Sequence, residues 1–275
     1  MIRCTPIGAV GAEVDGIDLN IISDDDLENL KALFAEKGLL FFRDQELSPD
    51  AHLDFAKKWG PINVNRFFTP VEGYPSIAEV RKEPQQKYNI GGNWHTDHSY
   101  DQIPALGSML YAKELPTLGG DTLFAGCAAA FDTLSEGMKI TLRSLRAVHS
   151  SRHVFGKSAV IPEDMTDMFG NADRAFQDAE HPVIIEHPLS GRETLYVNPG
   201  FTTRFVGWTE KESNSLLAFL YEHISRPEHT YRFQWSKGAL AFWDNRATWH
   251  LAVNDYPGET RLMHRITIEG EPLEP

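Results

Sequence analysis

Beyond Gly60 the chain never sustains a long apolar run; short hydrophobic stretches alternate with Gly, Pro and Asn, and this texture limits the fold more than any other feature. Such punctuation favours strands and turns over long helices. Tyr231, Phe233 and Trp235 fall on one face of an extended segment. Leu240–Trp243 reads as a strand buried on both faces, and Arg261–Gly270 alternates again. Val10, Val14, Ile17 and Leu19, set among Gly8, Gly11 and Gly16, predict short strands at the start, and Leu39–Phe42 predicts another.

Helical spacing is local and well signposted. Ser23 caps a segment opening with Asp24, Asp25 and Asp26; Leu27, Leu30, Leu33 and Phe34 follow at helical intervals, and Gly38 stops it. Ser48-Pro49 opens a second helix that packs Leu53, Ala56 and Trp59 and runs to Gly60. Met138, Leu142 and Leu145 mark a third. Thr209 and Glu212 form a capping box ahead of Leu216, Leu217, Leu220 and Ile224, predicting a helix to Arg226. Many antiparallel strands with a few helices predict a mainly β fold with flanking α-helices, a sandwich or jelly roll. No repeat or linker divides it, so 1–275 reads as a single domain.

Charge narrows the partners. Twenty-six Lys and Arg stand against 39 Asp and Glu, a net −13, which disfavours nucleic acid and anionic membranes. No stretch approaches the roughly 18 apolar residues of a spanning helix, and the first residues lack the basic and apolar regions of a signal peptide. Cys4 and Cys127 are too few for a disulfide framework, which fits a cytoplasmic protein. The expectation is an acidic globular enzyme of small molecules.

Three groups of residues carry chemistry. In Trp94-His95-Thr96-Asp97-His98, alternation along an extended segment puts His95 and Asp97 on one side. Far downstream, His250 follows the strand Leu240–Trp243. Two imidazoles and one carboxylate on one face of an ion, with the other positions open, describe the facial triad of non-haem iron oxygenases. Arg261 and Arg265 then share one face of the last strand, their Cα atoms about 13 Å apart. Arginines on a strand that otherwise reads as core are costly unless they meet anions, and a guanidinium fork suits a carboxylate. Two such groups at that spacing suit two anions in one cavity; surface ion pairs on an edge strand are the competing account.

Taken together, this order resembles the Fe(II)/2-oxoglutarate-dependent dioxygenases, most closely the taurine dioxygenase superfamily. Gly119-Gly120-Asp121-Thr122, Leu195-Tyr196-Val197-Asn198, Arg261-Leu262-Met263-His264-Arg265 and the opening Ile7 to Leu19 are similar to further blocks of that group. The resemblance implies a double-stranded β-helix. It implies His95, Asp97 and His250 as iron ligands, with Arg261 and Thr122 on the distal carboxylate of 2-oxoglutarate. It implies Arg265 as the anchor of an anionic primary substrate. The implied reaction consumes O2 and 2-oxoglutarate, releases succinate and CO2, and hydroxylates a C–H bond. Asp97 at the carboxylate position favours hydroxylation over halogenation. Related enzymes are dimers or tetramers, so a homo-oligomer is expected.

Substrate identity is less constrained. The taurine-specific pattern has His and Tyr where Asn65 and Phe68 stand here, and a polar amide where Gly91 stands. Val71 to Pro75 and Ala147 to Gly156 are more similar to the aryloxyalkanoate and alkylsulfate branch. The expected substrate is therefore a small sulfonate, sulfate ester or aryloxy or alkyl carboxylate, with taurine itself as the alternative. Phe67, Phe68, Phe155 and Phe201 are candidates to line its pocket, with His98 and Tyr100 beside the metal motif; core packing is the competing account of each phenylalanine. His149 and His153 read as structural or surface histidines. Two rivals remain: a Zn2+ hydrolase at the same ligands, which leaves Arg261 and Thr122 without a purpose, and a metal-binding β-barrel that binds without turnover.

Overall fold

The computed structural model describes residues 2–157, 159–160, 162–168 and 171–273. Its largest element is a nine-stranded sheet in the order Arg3–Pro6, Ala12–Asp15, Leu39–Phe42, Leu240–Asp244, Gly107–Glu114, Arg261–Ile268, Tyr74–Lys82, Pro70–Val71, with Ile62–Asn63 joining the end of Arg261–Ile268. Every pairing in it is antiparallel except Ala12–Asp15 with Leu39–Phe42. A three-stranded sheet, Thr230–Phe233, Thr122–Gly126 and Thr248–Ala252, faces it. Two smaller sheets complete a mixed α/β fold: Arg146–Ser150 paired with Asp178–Pro182 and Thr202–Phe205, and Ile184–Glu186 paired with Glu193–Leu195.

Side-chain alternation sorts the large sheet into two cores. Leu40, Phe42, Met109, Leu240, Phe242 and Ile266 point to the helices Asp24–Lys37 and Pro49–Lys57, meeting Leu30, Phe34 and Phe55. Leu39, Phe41, Leu110, Ala241, Trp243 and Met263 point the other way, onto Phe124 and Phe233 of the smaller sheet. Phe41 stacks on Phe233 with ring centres 4.0 Å apart, and Trp243 meets Phe124 at 5.7 Å. A buried strand needs apolar residues at every position, which is what the run Leu39–Phe42 supplies.

The helix ends obey their local chemistry. Ser23 Oγ accepts from Asp26 N, and Gly38 closes the first helix in the left-handed region at φ 68°. Thr209 and Glu212 complete a reciprocal capping box ahead of Glu210–Ile224. The second helix ends at Lys57, short of Gly60; Trp59 lies beyond it and still packs edge-on against Phe34 and Phe242. Among the described residues no helix is long and apolar enough to cross a membrane.

Candidate metal centre and anion-binding face

His95 is not on a strand. It forms one antiparallel bridge with His250, His95 N donating to His250 O at 3.1 Å and His250 N to His95 O at 2.8 Å. After Asp97 the chain turns, with His98 in the left-handed region at φ 59°. The convergence expected from alternation is real, but bridge and turn produce it. One donor atom from each of His95, Asp97 and His250 comes within 4.8 Å of the others.

Around these three the second contacts are specific. His95 Nδ1 lies 2.8 Å from the Asn93 carbonyl; a carbonyl only accepts, so Nδ1 carries the proton and Nε2 presents its lone pair. Ser108 Oγ donates to Asp97 Oδ2 at 2.9 Å, and Arg265 Nη1 to Oδ1 at 3.3 Å. Burial alone would raise the Asp97 carboxyl; the Arg265 guanidinium, first among its charged neighbours, leads in outweighing it and holds it well below the usual carboxylate range. Burial lowers both ligand imidazoles, which keeps them neutral. A carboxylate beside two neutral imidazoles is a donor set suited to a divalent cation.

Two glycines fix the first ring. A Cβ on Gly91, at φ 76°, would stand 3.2 Å from His95 Cε1, and one on Gly200 would stand 2.7 Å from His95 Cβ. Below the second ring, the turn from Leu240–Asp244 into Thr248–Ala252 is tied by a buried ion pair. Arg246 Nε and Nη2 donate to the two oxygens of Asp244 at 2.9 and 2.7 Å, and His187 Nε2 meets Asp244 Oδ2 at 3.0 Å. Neither the glycine contacts nor this pair was read from the sequence; Asp-x-Arg just before the ligand strand was the available signal.

Arg261 and Arg265 project from the final strand into one cavity, lined also by Val80, His95, Thr122 and His250. Arg261 is 4% exposed. Its Nε donates to Gly120 O at 2.9 Å and its Nη2 reaches Thr122 Oγ1 at 3.5 Å, while Trp235 Nε1 donates to that hydroxyl at 3.0 Å. Among the described residues no carboxylate pairs with Arg261 within 4 Å. An ionised guanidinium buried in that way is costly until an anion arrives.

The expected apolar residues form an aromatic wall that packs as a small core of its own; none of the four phenylalanines lines the cavity that holds Arg261 and Arg265. Phe67 stacks on Phe155 at 4.4 Å, Tyr100 meets Phe201 edge-on at 4.8 Å, and Phe201 lies 6.4 Å from the His95 ring. The Arg265 guanidinium lies 5.0 Å over the Phe68 ring. The wall thus runs from a ligand histidine to the arginine. Asn65 Oδ1 accepts from Phe67 N and Phe68 N at 2.8 and 3.0 Å, so that oxygen shapes its own loop. His98 is buried, its Nδ1 3.0 Å from Asp101 Oδ2, with Arg66 on the same carboxylate. His149 is fully buried, and His153 is exposed with Nε2 2.9 Å from Gly200 O.

The chain is similar to known proteins along nearly its whole length. The family model described as taurine catabolism dioxygenase TauD, TfdA family matches residues 3–267. An alkylsulfatase of Acinetobacter baylyi is 34% identical over 269 residues, covering 96% of this chain and 83% of its own. An alpha-ketoglutarate-dependent sulfate ester dioxygenase of Pseudomonas putida is 32% identical over 268 residues, covering 96% and 88%. Among solved structures, a taurine dioxygenase from Burkholderia xenovorans superposes with a TM-score of 0.82 at 32% identity, covering 98% of this chain and 91% of its own.

Proposed function

The chain belongs to the TauD, TfdA family of 2-oxoglutarate-dependent dioxygenases, and from that premise we propose that it oxidises a small sulfate ester with an apolar body. The two facing sheets are read as the double-stranded β-helix of that family, with 1–275 as one domain. The observation that carries the substrate reading is the aromatic wall of Phe67, Phe155, Tyr100 and Phe201, which joins His95 to the buried cation Arg265 through Phe68. A sulfate head suits Arg265; the hydrocarbon suits the rings. An amino-sulfonate such as taurine would meet Asn65, Phe68 and Gly91 at the three positions where the taurine pattern has His, Tyr and a polar amide, and so would lose contacts.

His95 Nε2, Asp97 and His250 hold Fe(II) in this reading, and iron so held supplies the activation of O2. Arg261 and Thr122 take the distal carboxylate of 2-oxoglutarate, fixing its keto acid end toward the three ligands. Arg265 places the sulfate so that the adjoining carbon lies near the metal, and the aromatic wall keeps water from that carbon. Hydroxylation of the carbon bearing the ester oxygen gives an unstable hydroxy ester that collapses to an aldehyde and sulfate, while the co-substrate leaves as succinate and CO2.

The test has two stages. Anaerobic addition of Fe(II) and 2-oxoglutarate should produce a visible charge-transfer band, which a zinc hydrolase or an inert binding protein would not show. Admitting air with a panel of alkyl sulfates, sulfonates and aryloxy acids should then release succinate coupled to free sulfate from the alkyl sulfates. Taurine turned over with equal or better efficiency would refute the substrate assignment while leaving the reaction class standing.

A further inference from the structure

Lys82 ends the strand Tyr74–Lys82 and is the register partner of Arg261 on the neighbouring strand Arg261–Ile268. Residues paired across an antiparallel ladder project to the same face. Lys82 therefore leaves the sheet on the side where Val80, Arg261 and Arg265 line the cavity, although its own side chain is turned onto Tyr256 and is not among the lining residues. The side chain is not a solvated one, being 2% exposed.

Its compensation is thin. An ammonium has three donors, and this one meets the Tyr256 carbonyl at 3.5 Å and the Tyr256 ring at 4.5 Å from its centre. Among the described residues no carboxylate pairs with Lys82 within 4 Å. The nearest acid felt by it, Asp164, is already engaged by Lys87 N at 2.6 Å. Burial lowers the pKa of Lys82 and, next door, of Arg261. Two cations buried on paired positions without a carboxylate partner are costly unless an anion meets them.

We propose that Lys82 is a second cation for the distal carboxylate of 2-oxoglutarate, closing a clamp whose other members are Arg261 and Thr122. The proposal rests on the reading of Arg261 given above. Arg261 grips from the floor, held by the Gly120 carbonyl and Thr122; Lys82 reaches from the adjacent strand and, with its flexible stem, moves from Tyr256 onto the incoming oxygen.

The experiment is an anaerobic titration of the Fe(II)-loaded protein, following the charge-transfer band, with two oxo acids of equal length. One is 2-oxoglutarate; the other is 2-oxovalerate, which lacks the distal carboxylate. Lys82→Met should weaken 2-oxoglutarate at least 10-fold and leave 2-oxovalerate within about 2-fold, and Lys82→Arg should restore most of the loss. Lys82→Gln, which can still donate to the Tyr256 carbonyl, carries the same expectation if the methionine variant does not fold. Equal weakening of both acids, or of neither, overturns the proposal. Failure of the wild-type protein to prefer 2-oxoglutarate over 2-oxovalerate would instead overturn the reading of Arg261 on which it stands.

Discussion

Replacing Arg265 by Met removes a guanidinium and keeps an unbranched apolar stem over Phe68. Arg265 is 6% exposed, with Nη1 3.3 Å from Asp97 Oδ1 and Nε buried without a hydrogen-bond partner among the described residues. An anion about 4 Å from such a group interacts by about 4 kcal/mol at an effective dielectric of 20, and truncating one partner of a buried charge pair costs about 2–5 kcal/mol. A value near 3–4 kcal/mol corresponds to a rise of roughly 150- to 800-fold in the KM of the sulfate ester. The KM for 2-oxoglutarate should move less than about 3-fold, because Arg261 lies some 13 Å away along the strand. Initial rates of succinate release, with each substrate varied in turn, give both constants. Equal rises in both would refute the division of labour between the two arginines. A fall in kcat at unchanged KM would show that Arg265 acts through Asp97 alone, without gripping substrate.

Three further outcomes follow from contacts around the site. Gly200→Ala drives a Cβ to within 2.7 Å of His95 Cβ, and should weaken divalent-metal binding about 10- to 100-fold by calorimetry with the helical circular dichroism unchanged; an unaltered affinity would mean that His95 does not ligate. Arg246→Met strips the guanidinium from the fully buried Asp244, leaving it His187 and the backbone N–H of residue 246, costing about 3–5 kcal/mol, or roughly 10 °C in Tm; a shift under 2 °C would contradict it. His52, buried with both ring nitrogens lacking partners among the described residues, has its pKa lowered to about 3, first by burial and then by His264 and Lys113. Below pH 6.5 the unfolded chain binds a proton that the folded protein refuses, so stability falls with pH by up to about 1.4 kcal/mol per unit. His52→Leu should remove about 2 kcal/mol of the loss between pH 7.5 and 5 in urea melts of the apo protein; an unchanged slope would refute this.

What the sequence discloses and what it hides divide along the range of the interaction. Ser23, Gly38 and Thr209 were legible because a cap is a contract between residues three or four apart. The strands Leu39–Phe42 and Leu240–Asp244 were legible because burial on both faces demands an unbroken apolar run. His95 and Asp97 were grouped on the premise of an extended strand, whereas the molecule groups them by the His250 bridge and a turn with His98 at positive φ. The same turn leaves the His98 ring 5.6 Å from the Tyr100 ring. The contacts of Ser108, Gly91, Gly200 and the Asp244–Arg246–His187 group join segments distant in the chain. No local pattern announces them, because their partners are fixed by tertiary approach. The Asx turn of Asn65 onto Phe67 and Phe68, by contrast, is local chemistry of the kind a sequence does display.

The charge arithmetic acquires a different meaning once these positions are known. A net −13 opposes small anions over distances comparable to the Debye length, about 8–10 Å in physiological salt. Inside the fold, one face of the large sheet carries Lys82, Arg261 and Arg265 on two adjacent strands, and among them Asp97 is the one acid within 4 Å among the described residues. Long-range attraction therefore cannot deliver 2-oxoglutarate or the sulfate ester of the proposed reaction; capture must be short-range, and any bound anion must satisfy cations that were costly to bury. Added salt should weaken the global repulsion more than the buried contacts, since buried pairs are screened less. The association rate of 2-oxoglutarate with the Fe(II)-loaded protein, followed anaerobically by stopped flow, should thus rise modestly between 20 and 200 mM salt. A steep fall, the signature of a field that steers anions inward, would show that the cationic face projects its potential beyond the cavity and would overturn this account of capture.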